Sequence, residues 1–555
     1  MHAVFRLPEL FEVVCAHGTP STLAALARTS SALFLPAVSE LYRNAGYQQL
    51  FHMVWVYLQR QQKQHVEGWD TMQHDTMPAW RRFQIYAPLI WHLSIVGDMW
   101  NALLKGTHGG NVAYTPEKLL LYLSSIASVS DLHPVFPNLR SLKIDPVKTQ
   151  PLGSLIILLS GNLTSLVTVH LNLASAIAKP DVAAMLDILP DRAPVLKCLE
   201  LVGAVSDAQE LSLSITRMIQ AFPQLEELSC GTACLQAGIL LGLSKLSNLR
   251  SIRIIGTLLV PTRIPTKMPG SRHLHEPLPS LRVIHIEEVA SSMAGPLLSQ
   301  LGTPSVEAVT VNLSSNESSP FPDEIKALFL AVSRFTSLRD FSISARGQGP
   351  RGHSAAFWQY GSILFTCSRL QKCVLRNWLF PASPVDDELI ESMAMAWPDL
   401  QALSLQWNVG KNDVLSTPTL NSLAVLFNHC PRLTHLQLWS LSAPVGRTPV
   451  VDSCLQPRPL WLGVRHNNIE DVDDASIFFV TLTSALEVYM ESSPEAFAWW
   501  DDFDTTPWNN IILRMRTLRR YIQMQADKKG TAFDNRMDNF TLESGHNCPP
   551  APVFI

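Results

Sequence analysis

Charged side chains are scarce in this chain: they make up 16% of its residues, against about 25% in an ordinary soluble protein. Nor does one sign dominate. With a formal net charge of -4 there is no general attraction for a phosphate backbone, so nucleic acid is not an expected partner. Long apolar runs are missing as well. SLIILL at residues 154–159 is typical of the longest, far short of the roughly 18 residues that a membrane-crossing helix requires, and no membrane partner is expected. Nine cysteines, an odd number, are scattered from Cys15 to Cys548 without a pairing pattern, and Arg6, Glu9 and Glu12 interrupt any basic-then-apolar leader. Together these absences give the expectation of a reduced protein of the cytoplasm and/or nucleus.

No catalytic constellation can be assembled either. GQGPRG at 347–352 fits Gly-x-Gly-x-x-Gly, but a dinucleotide site also needs an acid ending the next strand, and that strand ends in Leu375-Arg376-Asn377. Cys230 and Cys234 have no second pair or histidine cluster at zinc spacing, and His273 and His275 flank a proline-rich loop without helical spacing. The acidic runs EDVDD (470–474) and DDFD (501–504) read as solvated loops, with a basic partner or divalent ion as the alternative. The expectation is a protein that is not an enzyme, with no catalytic residues, no cofactor and no metal.

What the chain has is apolar content, 47%, distributed periodically. NLRSLKI (138–144), SLVTVHL (165–171), VLKCLEL (195–201), QLEELSC (224–230), NLRSIRI (248–254) and SLRVIHI (280–286) share one pattern. SVEAVTV (305–311), SLRDFSI (337–343), RLQKCVL (369–375), DLQALSL (399–405) and RLTHLQL (432–438) repeat it. All fit apolar-x-x-apolar-x-apolar, and the first apolar position moves from Leu139 to Leu433 in ten steps, a mean period of about 29 residues. Degenerate copies stand at LIWHLSI (89–95) and PLWLGV (459–464).

The final apolar-x-apolar alternates with period two, as a half-buried strand does, and several copies are preceded by apolar helical stretches such as EIKALFLAVSRFTS and LNSLAVLFNHCPR. Strand, loop and helix recurring in this way predict an α/β solenoid with a parallel sheet on its concave side and helices on its convex side. The chain resembles the leucine-rich-repeat proteins over most of its length.

The opening, RLPELFEVVCAHGTPSTLAALARTSSALFLPAVSELY (6–42), predicts three short helices. Pro8 is tolerated in a first turn, Gly18-Thr19-Pro20 breaks the chain, and Ser21 or Thr22 can cap the second helix. A segment of about 40 residues cannot bury so many apolar side chains by itself. Its Leu7-Pro8 start, the apolar triplet behind it, Leu23-x-x-Leu26, Ala27-Arg28-Thr29-Ser30 and the closing Leu41-Tyr42 resemble an F-box. Followed by these repeats, the pattern looks like the fungal F-box proteins with leucine-rich repeats. That resemblance implies docking of a Skp-family adaptor through Leu7, Pro8, Leu10, Leu23, Leu26 and Leu33, and through the adaptor a cullin. The chain would then be the substrate-recognition subunit of an SCF-type ubiquitin ligase. The alternatives are an amino-terminal cap and a protein-binding scaffold without a ubiquitin role.

The expected organisation is an F-box-like module at 1–46, a helical connector at 47–84, the solenoid at 85–480, a carboxy-terminal cap at 481–526 and a flexible tail at 527–555. Alternation sends the residue between the last two apolar positions to the concave face. Lys143, His170, Glu200, Arg253, His285 and Gln437 are therefore expected to contact an unknown target protein, together with Trp407 and Trp439 just after their strands.

Overall fold

The computed structural model describes residues 8–46, 84–96, 136–145, 163–172, 179–202, 208–231, 242–256, 278–314, 322–345, 361–378, 385–407, 417–444, 458–489, 506–528 and 542–543. The chain divides into two compact units, Met1–Leu281 and Arg282–Ile555.

The first unit begins with helices α1 (Pro8–Ala16), α2 (Pro20–Thr29) and α3 (Ser31–Arg43). Parallel strands follow in chain order: β1 (Asn44–Gly46), β2 (His92–Val96), β3 (Ser141–Asp145), β4 (Thr168–Asn172), β5 (Cys198–Val202), β6 (Glu227–Gly231) and β7 (Ser251–Ile255). Helices α4 (Lys179–Arg192) and α5 (Ala208–Gln220) lie between strands.

Each strand is short because only the apolar-x-apolar stretch is shared between repeats. Register places Leu142, Val169, Leu199, Leu228 and Ile252 in one line and Ile144, Leu171, Leu201, Cys230 and Ile254 in a second, all buried. Cys230 thus packs as a small apolar filler in the second line, while Cys234 lies outside the described residues.

Just before each strand a single carbonyl accepts two N–H groups from the next repeat. Trp91 O takes Arg140 and Ser141, Arg140 O takes Val167 and Thr168, and Val167 O takes Lys197 and Cys198. Asn138 Nδ2 donates to Pro88 O at 2.7 Å and Asn248 Nδ2 to Pro223 O at 3.0 Å, tying each turn to the preceding one. Backbone groups that would otherwise be orphaned at the turns are satisfied between neighbours.

The second unit continues the rule with β8 (Val283–Val289), β9 (Ala308–Leu313), β10 (Asp340–Ala345), β11 (Lys372–Trp378), β12 (Ala402–Trp407), β13 (His435–Ala443), β14 (Arg458–Ile469), β15 (Thr483–Tyr489) and β16 (Leu542–Glu543). These are parallel in chain order. Every one of the eleven sequence copies, and both degenerate ones, coincides with a strand. The architecture is the α/β leucine-rich-repeat stack that the period predicts. Strands β1, β15 and β16 extend it, and β16 places two residues of the expected flexible tail against β15.

Helices α6 (Ser291–Leu301), α7 (Pro322–Val332), α8 (Asp387–Ala396) and α9 (Leu420–His429) pack side by side in pairs. On α7, Ile325, Leu328, Phe329 and Val332 are buried at spacings of three and four, the stripe an amphipathic helix turns to a core. Caps link the helices as well. Asp386 caps α8 through Leu389 N, and Asp387 accepts from Thr419 N (2.8 Å), Thr419 Oγ1 (2.7 Å) and Ser422 Oγ at the start of α9.

The acidic run at 470–474 also acts as a cap. Asp471 accepts from Asp473 N and Asp474 N to open α10 (Val472–Leu482), and Asp473 pairs with Arg514 of α11 (Thr506–Lys528). This helix-capping role replaces the solvated-loop expectation. Helix α11 packs on α10 with Ile511, Ile512 and Met515 buried, while Ile522 is exposed.

At Gly295 the α6 and α7 backbones meet closely: a Cβ there would stand 2.9 Å from Leu328 N and 3.0 Å from Ala327 C. Backbone cannot yield as a side-chain tip can. Gly295→Ala is therefore expected to destabilise the second unit by about 1–3 kcal/mol, read as a lowered urea midpoint at unchanged m-value.

Candidate functional site

Two surfaces carry the candidate residues. On the first, Thr19 Oγ1 accepts from Thr22 N and Pro20 occupies the first turn of α2, so Thr19 is the cap in place of the expected Ser21 or Thr22. Ser30 caps α3, which carries Pro36 inside it.

The three helices close a core of Phe11, Cys15, Leu23, Leu33 and Ala37, against which Leu26, Ala27 and Leu41 pack. Burial pushes the Cys15 thiol up, with Glu40 and Glu12 adding to the effect, so it is a neutral core side chain.

The module nevertheless leaves large apolar side chains outside. Leu10, Val13 and Val14 form one stripe on α1 at spacings of three and four, and Phe34 and Leu35 project from α3, which packs on α1. Val13 and Leu35 are each 57% exposed. Of the thirteen large apolar residues left exposed among the described ones, these are five within 26 residues.

Of the residues expected to dock an adaptor, Leu10 lies on this face and Leu26 is half-buried beside the core. Leu23 and Leu33 are turned into the core, where they hold the module together and are withdrawn from a partner. Pro8 opens α1, its side chain outside the described residues, as is all of Leu7. Val13, Val14, Phe34 and Leu35 were not foreseen. The signal for the first two was available: on a helix that buries Phe11 and Cys15, positions 10, 13 and 14 fall on another side.

The module is joined to the repeats through Trp91. Its N–H donates to Arg43 O at 3.1 Å, and the guanidiniums of Arg43 and Arg140 each lie 4.3 Å from its ring centroid. Strand β1, fed directly by α3, pairs with β2.

The second surface is the solvent side of the strands. In the first unit, register aligns Lys143, His170, Glu200, Ser229 and Arg253 on β3 to β7. Lys143 and Arg253 are exposed, while His170, Glu200 and Ser229 are half-buried. His170 Nδ1 donates to Glu200 Oε2 at 2.5 Å. That hydrogen bond first, then the charges of His170, Arg253 and Lys143, hold the Glu200 carboxyl below the usual carboxylate range against the opposing effect of burial.

In the second unit the corresponding row behaves differently. His285 is half-buried. Gln437, 8% exposed, and Trp439, 4% exposed, are both buried. Gln437 Oε1 accepts from Ser404 Oγ at 2.8 Å, so it serves the interior rather than an open surface. For Trp439, too, packing replaces the expected target contact. Trp407 ends β12 in register with Trp378, its side chain outside the described residues.

The described thiols on the strands and near them are not activated. Burial raises the thiols of Cys198 and Cys367, pushes Cys373 up strongly and takes Cys430 to about 12, so none is a ready nucleophile. No group of three or more metal-binding side chains occurs among the described residues, and no described helix is long and apolar enough to cross a membrane. The motif at 347–352, His273, His275 and the acidic run at 501–504 lie outside the described residues.

Taken with its register, the repeat defines a leucine-rich-repeat fold. No family model and no curated protein matches the chain. Among solved structures, it aligns with a chain of the TLR13–ssRNA13 complex at 15% identity and a TM-score of 0.34, covering 65% of this chain and 41% of that one. It aligns with a chain of the Rad7–Elc1 complex from yeast at 14% identity and a TM-score of 0.32, covering 81% and 95%. A chain of the LRIM1/APL1C complex gives 11% identity and a TM-score of 0.25, covering 73% and 67%. The present chain thus spans less than half the length of its TLR13 counterpart.

The Glu200 contacts have a measurable consequence. Because its folded pKa is lowered, Glu200 contributes stability that is present above the unfolded carboxylate value and is lost as pH falls through the folded one. The stability difference between the parent chain and Glu200→Gln should be full at pH 7 and shrink on acidification below the ordinary carboxylate range, and the Glu200 carboxyl resonance should titrate below that of an ordinary glutamate.

Proposed function

We propose that this chain is the substrate-recognition subunit of an SCF-type cullin-RING ubiquitin ligase. Its helical module docks a Skp-family adaptor and, through it, a cullin, while the solvent side of its strands holds a target protein. It performs no bond chemistry itself; it brings the target near a conjugating enzyme supplied by the ligase.

The observation that carries the reading is the module's apolar exterior. Its own core is already closed by Phe11, Cys15, Leu23, Leu33 and Ala37, yet Leu10, Val13, Val14, Phe34 and Leu35 face solvent. A concentrated apolar face on so small a module is the signature of a surface that another polypeptide covers. The F-box resemblance of residues 7–42 names the kind of polypeptide. For the target, the first unit offers Lys143, His170, Glu200 and Arg253, and the second offers His285.

A second reading is favoured by one observation: α3 feeds β1, which pairs with β2, so the module also ends the sheet as a cap would. In that reading the chain is a protein-binding scaffold without a ubiquitin role.

Adaptor capture separates the two. Full-length chain should co-purify with a Skp-family adaptor, and Val13→Asp with Leu35→Asp should weaken capture at least tenfold, since central apolar anchors dominate such interfaces. Both positions are exposed, so the melting temperature should stay within about 2 °C of the parent, as surface substitutions usually cost under about 0.5 kcal/mol. No capture by the parent chain, or undiminished capture by the variant, would leave the scaffold reading in its place.

A further inference from the structure

The charged row on β3 to β7 has a definite order and spacing. Adjacent strands lie about 4.8 Å apart, so the four steps from Lys143 to Arg253 span about 19 Å. An extended peptide advances about 3.3 Å per residue and covers that distance in about six residues.

The charges along the row are not equivalent. Glu200 stands in the middle, hydrogen-bonded to His170 at 2.5 Å and held ionised with Lys143 and Arg253 also acting on it. Lys143 and Arg253, at the two ends, are the exposed members. Between Glu200 and Arg253 sits Ser229, whose Oγ is shielded from solvent and has no hydrogen-bond partner. Buried hydroxyls without partners are uncommon and call for an explanation. The neighbouring row on these strands, Ser141, Thr168, Cys198, Glu227 and Ser251, adds one exposed carboxylate, Glu227.

We infer that this row reads an acidic linear segment of a target protein. The segment crosses the strands in extended form, with two carboxylates about six residues apart over Lys143 and Arg253 and a non-acidic residue over Glu200. Lys143 and Arg253 attract, and Glu200 repels an acid placed midway. Selectivity therefore rests on a repulsive element as much as on attraction. The inference builds on target binding as proposed above but does not depend on adaptor docking.

The test uses the full-length chain on a solid-phase library of dodecapeptides in a serine-glycine background, each carrying two glutamates at separations of two to ten residues. Capture should peak at separations of five to seven, fall severalfold when a third glutamate is placed midway, and weaken as salt rises from 50 to 500 mM. Lys143→Glu with Arg253→Glu should lose at least tenfold and should instead capture the matching lysine-paired peptides. That rescue shows the variant is folded, and a parental melting temperature is the second check. A flat dependence on separation, capture unchanged by the double reversal, or tighter capture of a single-stranded oligonucleotide on the same row would overturn the inference. The double variant should retain adaptor capture, so failure of the peptide arm and failure of the ligase reading are distinguishable.

Discussion

From β3 to β7 and from β8 to β14 each strand carries two buried apolar side chains separated by one residue, and the matching pairs on neighbouring strands cover them. Leu199 and Leu201 need Val169 and Leu171 on one side and Leu228 and Cys230 on the other. The shared carbonyls ahead of each strand enforce the same neighbour relation for the backbone. A fold built this way is stable only in company, so both its ends and its loops are shaped by what covers them. At Gly295 the close approach of α6 and α7 adds a second constraint, between helix backbones.

The helical module answers that constraint on one side and reopens it on the other. Toward the repeats it is closed: Arg43 and Arg140 sandwich Trp91, and β1 adds to β2. On its solvent side it presents an apolar exterior with no cation interleaved along the α1 stripe of Leu10, Val13 and Val14. Helix α11 offers a contrast. It also exposes Leu513, Tyr521 and Met524, but Arg514, Arg516 and Arg520 alternate with them, which makes a solvated face rather than a continuous apolar one. The two patches are therefore of different kinds, and only the amino-terminal one asks for an apolar partner.

Much of the fold was legible because one physical rule repeats. Alternation and a period of about 29 residues located β2 to β14, since burying two residues of every strand leaves an unmistakable trace. Strand β1 escaped because its three residues include a single buried side chain, Ala45. Thr19 was overlooked as a cap because Pro20 starts the first turn two or three residues earlier than the hydroxyls of Ser21 and Thr22 suggest. Alternation tells which way a side chain points but not what lies over it, so it could not show that Gln437 and Trp439 are buried while Lys143 and Arg253 are open. In the module, the apolar residues named by family resemblance included core members, and the outer stripe had to be read from the packed helices.

Hydrogen–deuterium exchange on the full-length chain, with and without a Skp-family adaptor, probes the central claim most directly, because it reports where a partner lands without altering a residue. Added protection should be confined to α1 and α3, around Leu10 to Val14 and Phe34 to Leu35, with β3 to β7 unchanged. Protection on the strands with none on those helices, or no protection anywhere, would contradict it.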